Sequence, residues 1–185
     1  MKSLSLSKPH LLITVGLPGS GKTHFAEKFS EMFGAPCISE ETLKQFCADK
    51  AVSESLFNYQ LDQLLKTNQT IVIDGKSSTR AERSELSHKA KSKGYESLLI
   101  WVQTDPQTSK TRAQKNNHTN EAVEQAIKRF TPPNATEKVV VVSGKHTYAS
   151  QAKVVLKKLS SPRAEISMHS APPVREPGRR SITIR

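Results

Sequence analysis

The chain predicts an α/β fold in which about five parallel strands form a sheet with helices packed on both faces. Two observations carry this. Five short apolar runs, beginning with Leu11-Leu12-Ile13-Thr14-Val15, alternate with segments whose apolar residues recur at helical spacing. Strands alternating with helices in this way build a parallel sheet with both faces covered. The first run also leads directly into Gly16-Leu17-Pro18-Gly19-Ser20-Gly21-Lys22-Thr23, a G-x-x-x-x-G-K-T spacing set between a strand and a helix. At 185 residues, the chain can bury the core of one domain without disulfides or a structural metal.

Residues 11–15 read as a buried strand, and Phe25, Ala26, Phe29, Met32 and Phe33 then mark one face of a helix over 24–33. A short second strand is expected at 35–39. A helical stretch at 40–49 follows, then a helix from about residue 53 with the stripe Leu56, Phe57, Leu61, Leu64 and Leu65. Ile71-Val72-Ile73 ends in Asp74, the pattern of a central parallel strand. Thr79 and Glu82 have the spacing of a capping box, and Gly94 is placed to end the helix they begin. Residues 97–102 supply a fourth strand, and 104–117 form a polar, basic connection. Ala122, Val123, Ala126, Ile127 and Phe130 mark a helix closed by Pro132 and Pro133. A fifth strand at 138–142 precedes a last helix carrying Ala149, Ala152, Val155, Leu156 and Leu159. Residues 1–160 are therefore expected to be the folded domain. Residues 161–185, rich in Pro, Ser and Arg, read as a disordered tail too poor in apolar groups to pack alone.

The glycine-rich segment has the residue types that phosphate binding demands. Gly16, Gly19 and Gly21, with Pro18 and Ser20 between them, let consecutive backbone N–H groups turn inward, and the following helix N-terminus favours negative charge. Lys22 is expected to reach the β- and γ-phosphates of a nucleotide and Thr23 to hold Mg²⁺. This is the P-loop, and the predicted architecture is the three-layer α/β/α fold of P-loop NTPases. Asp74, at the carboxyl end of a central strand, falls on the ligand edge of such a sheet, where it can serve the metal or the substrate. In Ser39-Glu40-Glu41-Thr42-Leu43-Lys44-Gln45, a carboxylate beside the phosphate site could accept a hydroxyl proton, although acids also favour the first turn of a helix. The basic stretch Lys110 to Lys115 suits a lid over a transferring phosphate, spanning about residues 104–119, and equally suits a solvated surface segment.

Together, the P-loop, the 39–45 segment, Val72-Ile73-Asp74 with Arg80 and Arg83, and the 105–133 region resemble the polynucleotide 5′-kinase family of AAA_33-type P-loop ATPases. The resemblance covers about residues 10–133, and zeta-toxin and small-molecule kinases share parts of it. It implies that Glu41, where the family has Asp, is the general base for a 5′-hydroxyl. It places Lys44 where an Arg contacts the acceptor, with Arg80 and Lys115 as further acceptor contacts. Asp74 matches an active-site aspartate and Arg112 the first lid arginine. The second lid arginine falls at Asn116, with Lys115 the nearest base. One extra methylene in Glu41 shifts a carboxylate by an amount that costs about a hundredfold in rate unless the backbone compensates. Lys44 lacks the planar fork of Arg.

The net charge is +11, of which five arginines against Glu165 and Glu176 place +3 in the tail, leaving the body at +8. Such a balance suits nucleotides and nucleic acid. Two cysteines, Cys37 and Cys47, make neither a disulfide framework nor a zinc spacing, which points to a reducing, cytoplasmic setting. No apolar run approaches the length of a membrane span, so no membrane partner is expected. The six histidines are scattered without ligand spacing and read as surface or helix residues. The leading expectation is an ATP- and Mg²⁺-dependent phosphotransferase acting on a hydroxyl, with RNA or DNA 5′ ends the best acceptor. A nucleotide-gated nucleic-acid-binding ATPase and a small-metabolite kinase are the alternatives. Neither acceptor nor oligomeric state is legible in the residues.

Overall fold

A computed structural model describes residues 6–116 and 118–160. The tail expected at 161–185 lies outside the described residues. Five strands form one parallel sheet in the order β2-β3-β1-β4-β5, comprising β1 (His10–Val15), β2 (Cys37–Ser39), β3 (Ile71–Asp74), β4 (Glu96–Gln103) and β5 (Val139–Ser143). The helices are α1 (Lys22–Phe33), α2 (Glu40–Phe46), α3 (Lys50–Leu64), α4 (Arg80–Ser92), α5 (Pro106–Lys115), α6 (Asn120–Arg129) and α7 (Tyr148–Ser160). This is the three-layer α/β/α arrangement of P-loop NTPases.

Alternation of side chains along β1 divides the core in two. Leu12 turns to the face covered by α1 and α7, where it meets Phe25, Phe29, Val72, Ile100 and Val155. Leu11 and Ile13 turn to the face covered by α3 and α4, with Phe57, Leu61, Ile71, Ile73, Leu86 and Ala90. Trp101 and Tyr95 belong to this second core, and the Tyr95 hydroxyl donates to the Leu64 carbonyl at 3.3 Å. Tyr95 is buried in it and Trp101 packs partly buried against it.

The expected elements recur with adjusted ends. The second strand is shorter than 35–39, and α3 starts before residue 53 because the Asp49 side chain caps it through the Ala51 N–H at 2.9 Å. The capping box is present, with Thr79 and Glu82 bonding each other's backbone N–H. The stretch 104–117, expected as a polar connection, contains the regular helix α5. Asp105 caps it through the Thr108 N–H at 2.8 Å, and Pro106 occupies its first position.

Arg83 ties the α4 start to the segment after α6. Fully buried, it donates from Nε and Nη2 to the two Glu137 carboxylate oxygens at 2.7 and 3.1 Å, and from Nη1 to the carbonyls of Ser77 and Thr131. The Arg83 hydrogen bonds hold the Glu137 carboxyl below its ordinary pKa, against the opposing effect of burial.

Candidate nucleotide and phosphoryl-transfer site

Between β1 and α1, the Ser20 N–H donates to the Leu17 carbonyl at 3.1 Å. Pro18 and Gly19, the latter at φ 75°, occupy the centre of this turn, the sequence of a type II turn, which needs a positive φ at its third position. Gly19 also permits close approach: a Cβ there would lie 2.2 Å from the Ser109 carbonyl and 2.7 Å from the Ala113 N of α5. The P-loop tip therefore rests directly on the backbone of α5. On its other side the Thr104 hydroxyl donates to the Ser20 carbonyl at 3.1 Å. The hydroxyls of Ser20 and Ser109 are buried with no hydrogen-bond partner.

Strand register assembles the candidate metal and phosphate side. Thr14 of β1 pairs with Asp74 of β3, so the carboxylate is buried at the carboxyl edge of the sheet. Its Oδ1 accepts from the Thr14 hydroxyl at 2.9 Å and its Oδ2 from the Thr23 hydroxyl at 2.7 Å. Lys22 curls back, donating to the Leu17 carbonyl at 2.9 Å. Burial pulls its pKa down, while the charges of Asp74 and Glu41 oppose that shift. The structure thus brings Lys22, Thr23, Asp74 and Glu41 into one electrostatic neighbourhood.

The two acids at the start of α2 have different tasks. Glu40 Oε2 accepts the Lys76 N–H at 2.7 Å and its Oε1 meets Lys44 Nζ at 2.7 Å. Burial pushes the Glu40 pKa up, but the bonds from Lys44 and Lys76 outweigh it and leave the carboxyl below its ordinary value. A Cβ on Gly75, φ 117°, would fall 2.5 Å from the Glu40 Cβ, and the next residue, Lys76, holds a left-handed φ of 47°. Glu40 therefore clamps the turn after Asp74. Glu41 is the exposed member of the pair, and its Oε1 lies 3.5 Å from Nε2 of His118, in the linker between α5 and α6.

Several expected substrate contacts are engaged elsewhere. Lys44 is occupied by Glu40. Arg112 donates to the Gly144 carbonyl at 3.0 Å, while Lys145 pairs with Asp105 at 2.8 Å and holds that carboxyl well below its usual range. Lys115 is exposed in the last turn of α5. Arg80 lines a groove along α4 in which no P-loop residue takes part. His118, grouped in the sequence with histidines of no special role, is the residue that reading missed. A histidine in a linker, 77 positions from its partner, has no local pattern to mark it.

Among the described residues, no three His, Cys, Asp or Glu side chains cluster to cage a metal. No helix there is long and apolar enough to cross a membrane. The fold is shared with solved structures at low identity. A gluconokinase from Sinorhizobium meliloti is 16% identical, with 82% of this chain and 91% of that chain covered and a TM-score of 0.58. A sugar kinase from Janibacter sp. is 14% identical, with 82% and 94% covered and a TM-score of 0.61. Kti12 from Chaetomium thermophilum, solved with ADP-AlF3, is 16% identical, with 82% and 100% covered and a TM-score of 0.63. No curated protein matches the chain in sequence. The AAA_33 family, described as an AAA domain, matches residues 11–133, the span holding the P-loop, Glu41, Asp74, α5 and His118; the chain belongs to this family.

Proposed function

We propose that the protein is an ATP- and Mg²⁺-dependent phosphotransferase that moves the γ-phosphoryl group to a hydroxyl, with a polynucleotide 5′ end as acceptor. The observation that carries this is Asp74, which accepts the Thr14 and Thr23 hydroxyls and, like Glu41, acts electrostatically on the buried Lys22. The unpartnered Ser20 hydroxyl and the close approach of the Gly16 backbone to it fit a phosphate cradle. Thr23 and Asp74 offer the oxygen donors that suit Mg²⁺, which usually adds substrate phosphates to one or two carboxylates. The ion would neutralise phosphate oxygens as charge moves to the leaving group.

Lys22 leaves the Leu17 carbonyl to meet the β- and γ-phosphates. Glu41 takes the proton of the acceptor hydroxyl as its oxygen bonds to the γ-phosphorus and the bond to the β-phosphate oxygen breaks, releasing ADP. Arg112, freed from the Gly144 carbonyl, adds positive charge to the transferring group. The basic body of the chain supports a polyanionic acceptor, and its cysteine usage supports a cytoplasmic setting.

One observation favours a smaller acceptor. Lys44 is held by Glu40 and so is withdrawn from the phosphate contact that a polynucleotide would use. A nucleotide-gated binder that transfers little phosphate is the remaining reading. A single-turnover assay with γ-labelled ATP, 5′-hydroxyl RNA and DNA oligonucleotides, and a panel of sugars and alcohols separates the three. Label is expected in oligonucleotides and lost in Lys22→Ala and Glu41→Ala. Label in a small alcohol alone selects the metabolite kinase, and label nowhere but in free phosphate sinks the transferase.

A further inference from the structure

Apart from the phosphate site, the described residues contain a groove of about 560 Å³ along α4, lined also by the start of β4 and by residues 136–138 ahead of β5. Arg80, Ser84, Ser87 and Lys91 line it, and their spacing puts all four on one stripe of the helix. Lys8 and Lys138, just ahead of β1 and β5, line the groove as well.

The two acids in the groove are already used. Glu137 gives both oxygens to Arg83, and Glu96 is bridged by Lys138 at 2.9 Å and Lys8 at 3.7 Å. Arg80 and Lys91 are exposed and form no ion pair among the described residues. Five bases against two acids leave the groove positive. That charge suits a polyanion.

We infer that this groove holds the phosphodiester backbone of a single-stranded polynucleotide, leading from the α4 N-terminus, six residues beyond Asp74, toward the opposite edge of the sheet. The inference takes its acceptor class from the proposed function. From Arg80 to Lys91 the helix rises about 16 Å, a span of four to five stacked nucleotides at about 3.4 Å each. The lining contains one aromatic residue, Tyr95, which is buried with its hydroxyl bonded to Leu64. The groove therefore grips phosphates and serine-bonded backbone oxygens without choosing bases, since stacking needs an exposed ring.

The test is fluorescence anisotropy of the full chain with 3′-labelled 5′-hydroxyl oligonucleotides of three and ten nucleotides, over a range of salt, with phosphate transfer measured in the same samples. Arg80→Glu/Lys91→Glu is expected to weaken the decamer about tenfold and the trimer, which reaches Arg80 at most, several-fold less. The salt slope for the decamer should fall by about 1.4, from two lost contacts at about 0.7 each. Ser84→Glu/Ser87→Glu, which adds charge without removing an existing contact, should act in the same direction and covers the case of a misfolded first variant.

Unchanged decamer affinity in both variants overturns the groove. So does equal weakening of trimer and decamer, or competition by polyglutamate as strong as by unlabelled oligonucleotide. Binding that responds as expected without any phosphate transfer would sustain the groove and defeat the transferase. Transfer that persists with no response to these variants would do the reverse.

Discussion

Lys22 carries two opposed demands. It must remain charged to meet phosphates, yet burial pulls its pKa down from an ordinary value of 10.5, only partly offset by Asp74 and Glu41. Its proton is therefore held more weakly in the folded than in the unfolded chain. Stability should rise with pH between the depressed folded value and the ordinary one, where only the unfolded chain is charged. Lys22→Met is expected to abolish that rise and to raise the nucleotide-free Tm, while lowering transfer by about two to three orders of magnitude; melts over a pH series up to the ordinary value of 10.5 read the first effect. At Glu41 and His118 the expected result is non-additivity. If the imidazole acts by orienting the carboxylate, His118→Ala should lower kcat with KM little changed in the wild type and do nothing further in Glu41→Gln. Full additivity in that cycle would make the 3.5 Å approach incidental. Such a pair escapes a reading of the sequence, whereas Glu40 and Lys44 show the four-residue spacing of a helical ion pair openly.

At the scale of elements, the strands and the helices with apolar stripes were legible because their apolar residues recur at strand or helical spacing, even in α6, where only Val123 is buried. Helix α5 was not, because among its residues only Ser109 and Ala113 are buried, which leaves no apolar period to detect. Its signal was local: Asp105 followed by Pro106, a capping acid and a first-position proline. The ligand edge was legible too, since Asp74 closes an apolar run and the P-loop names itself. What the sequence hid was contact between elements, above all the P-loop tip resting on the α5 backbone. Gly19→Ala is expected to force α5 away, because its new Cβ meets backbone atoms that have no side-chain freedom to yield. Its cost should be about 1–3 kcal/mol, read as a lower Tm and as faster amide exchange at Ser109 and Ala113.

For the whole molecule, nucleotide binding should appear as stability. ATP with Mg²⁺ at about 100 times Kd adds about 2.7 kcal/mol, which for a domain of this size raises Tm by about 5–10 °C. Differential scanning measures that shift, and Lys22→Met should lose most of it. The sheet order has a further outcome during synthesis. β1 lies at the centre of the sheet, with Leu11 paired to Ile71 on one side and Ser97 on the other. It is also the first strand of this sheet to leave the ribosome. At about 5–20 residues per second, this fully buried apolar segment waits on the order of 5–20 s for its second neighbour. The nascent chain is most exposed to aggregation in that interval, and this central strand is the segment a holding chaperone would most usefully cover.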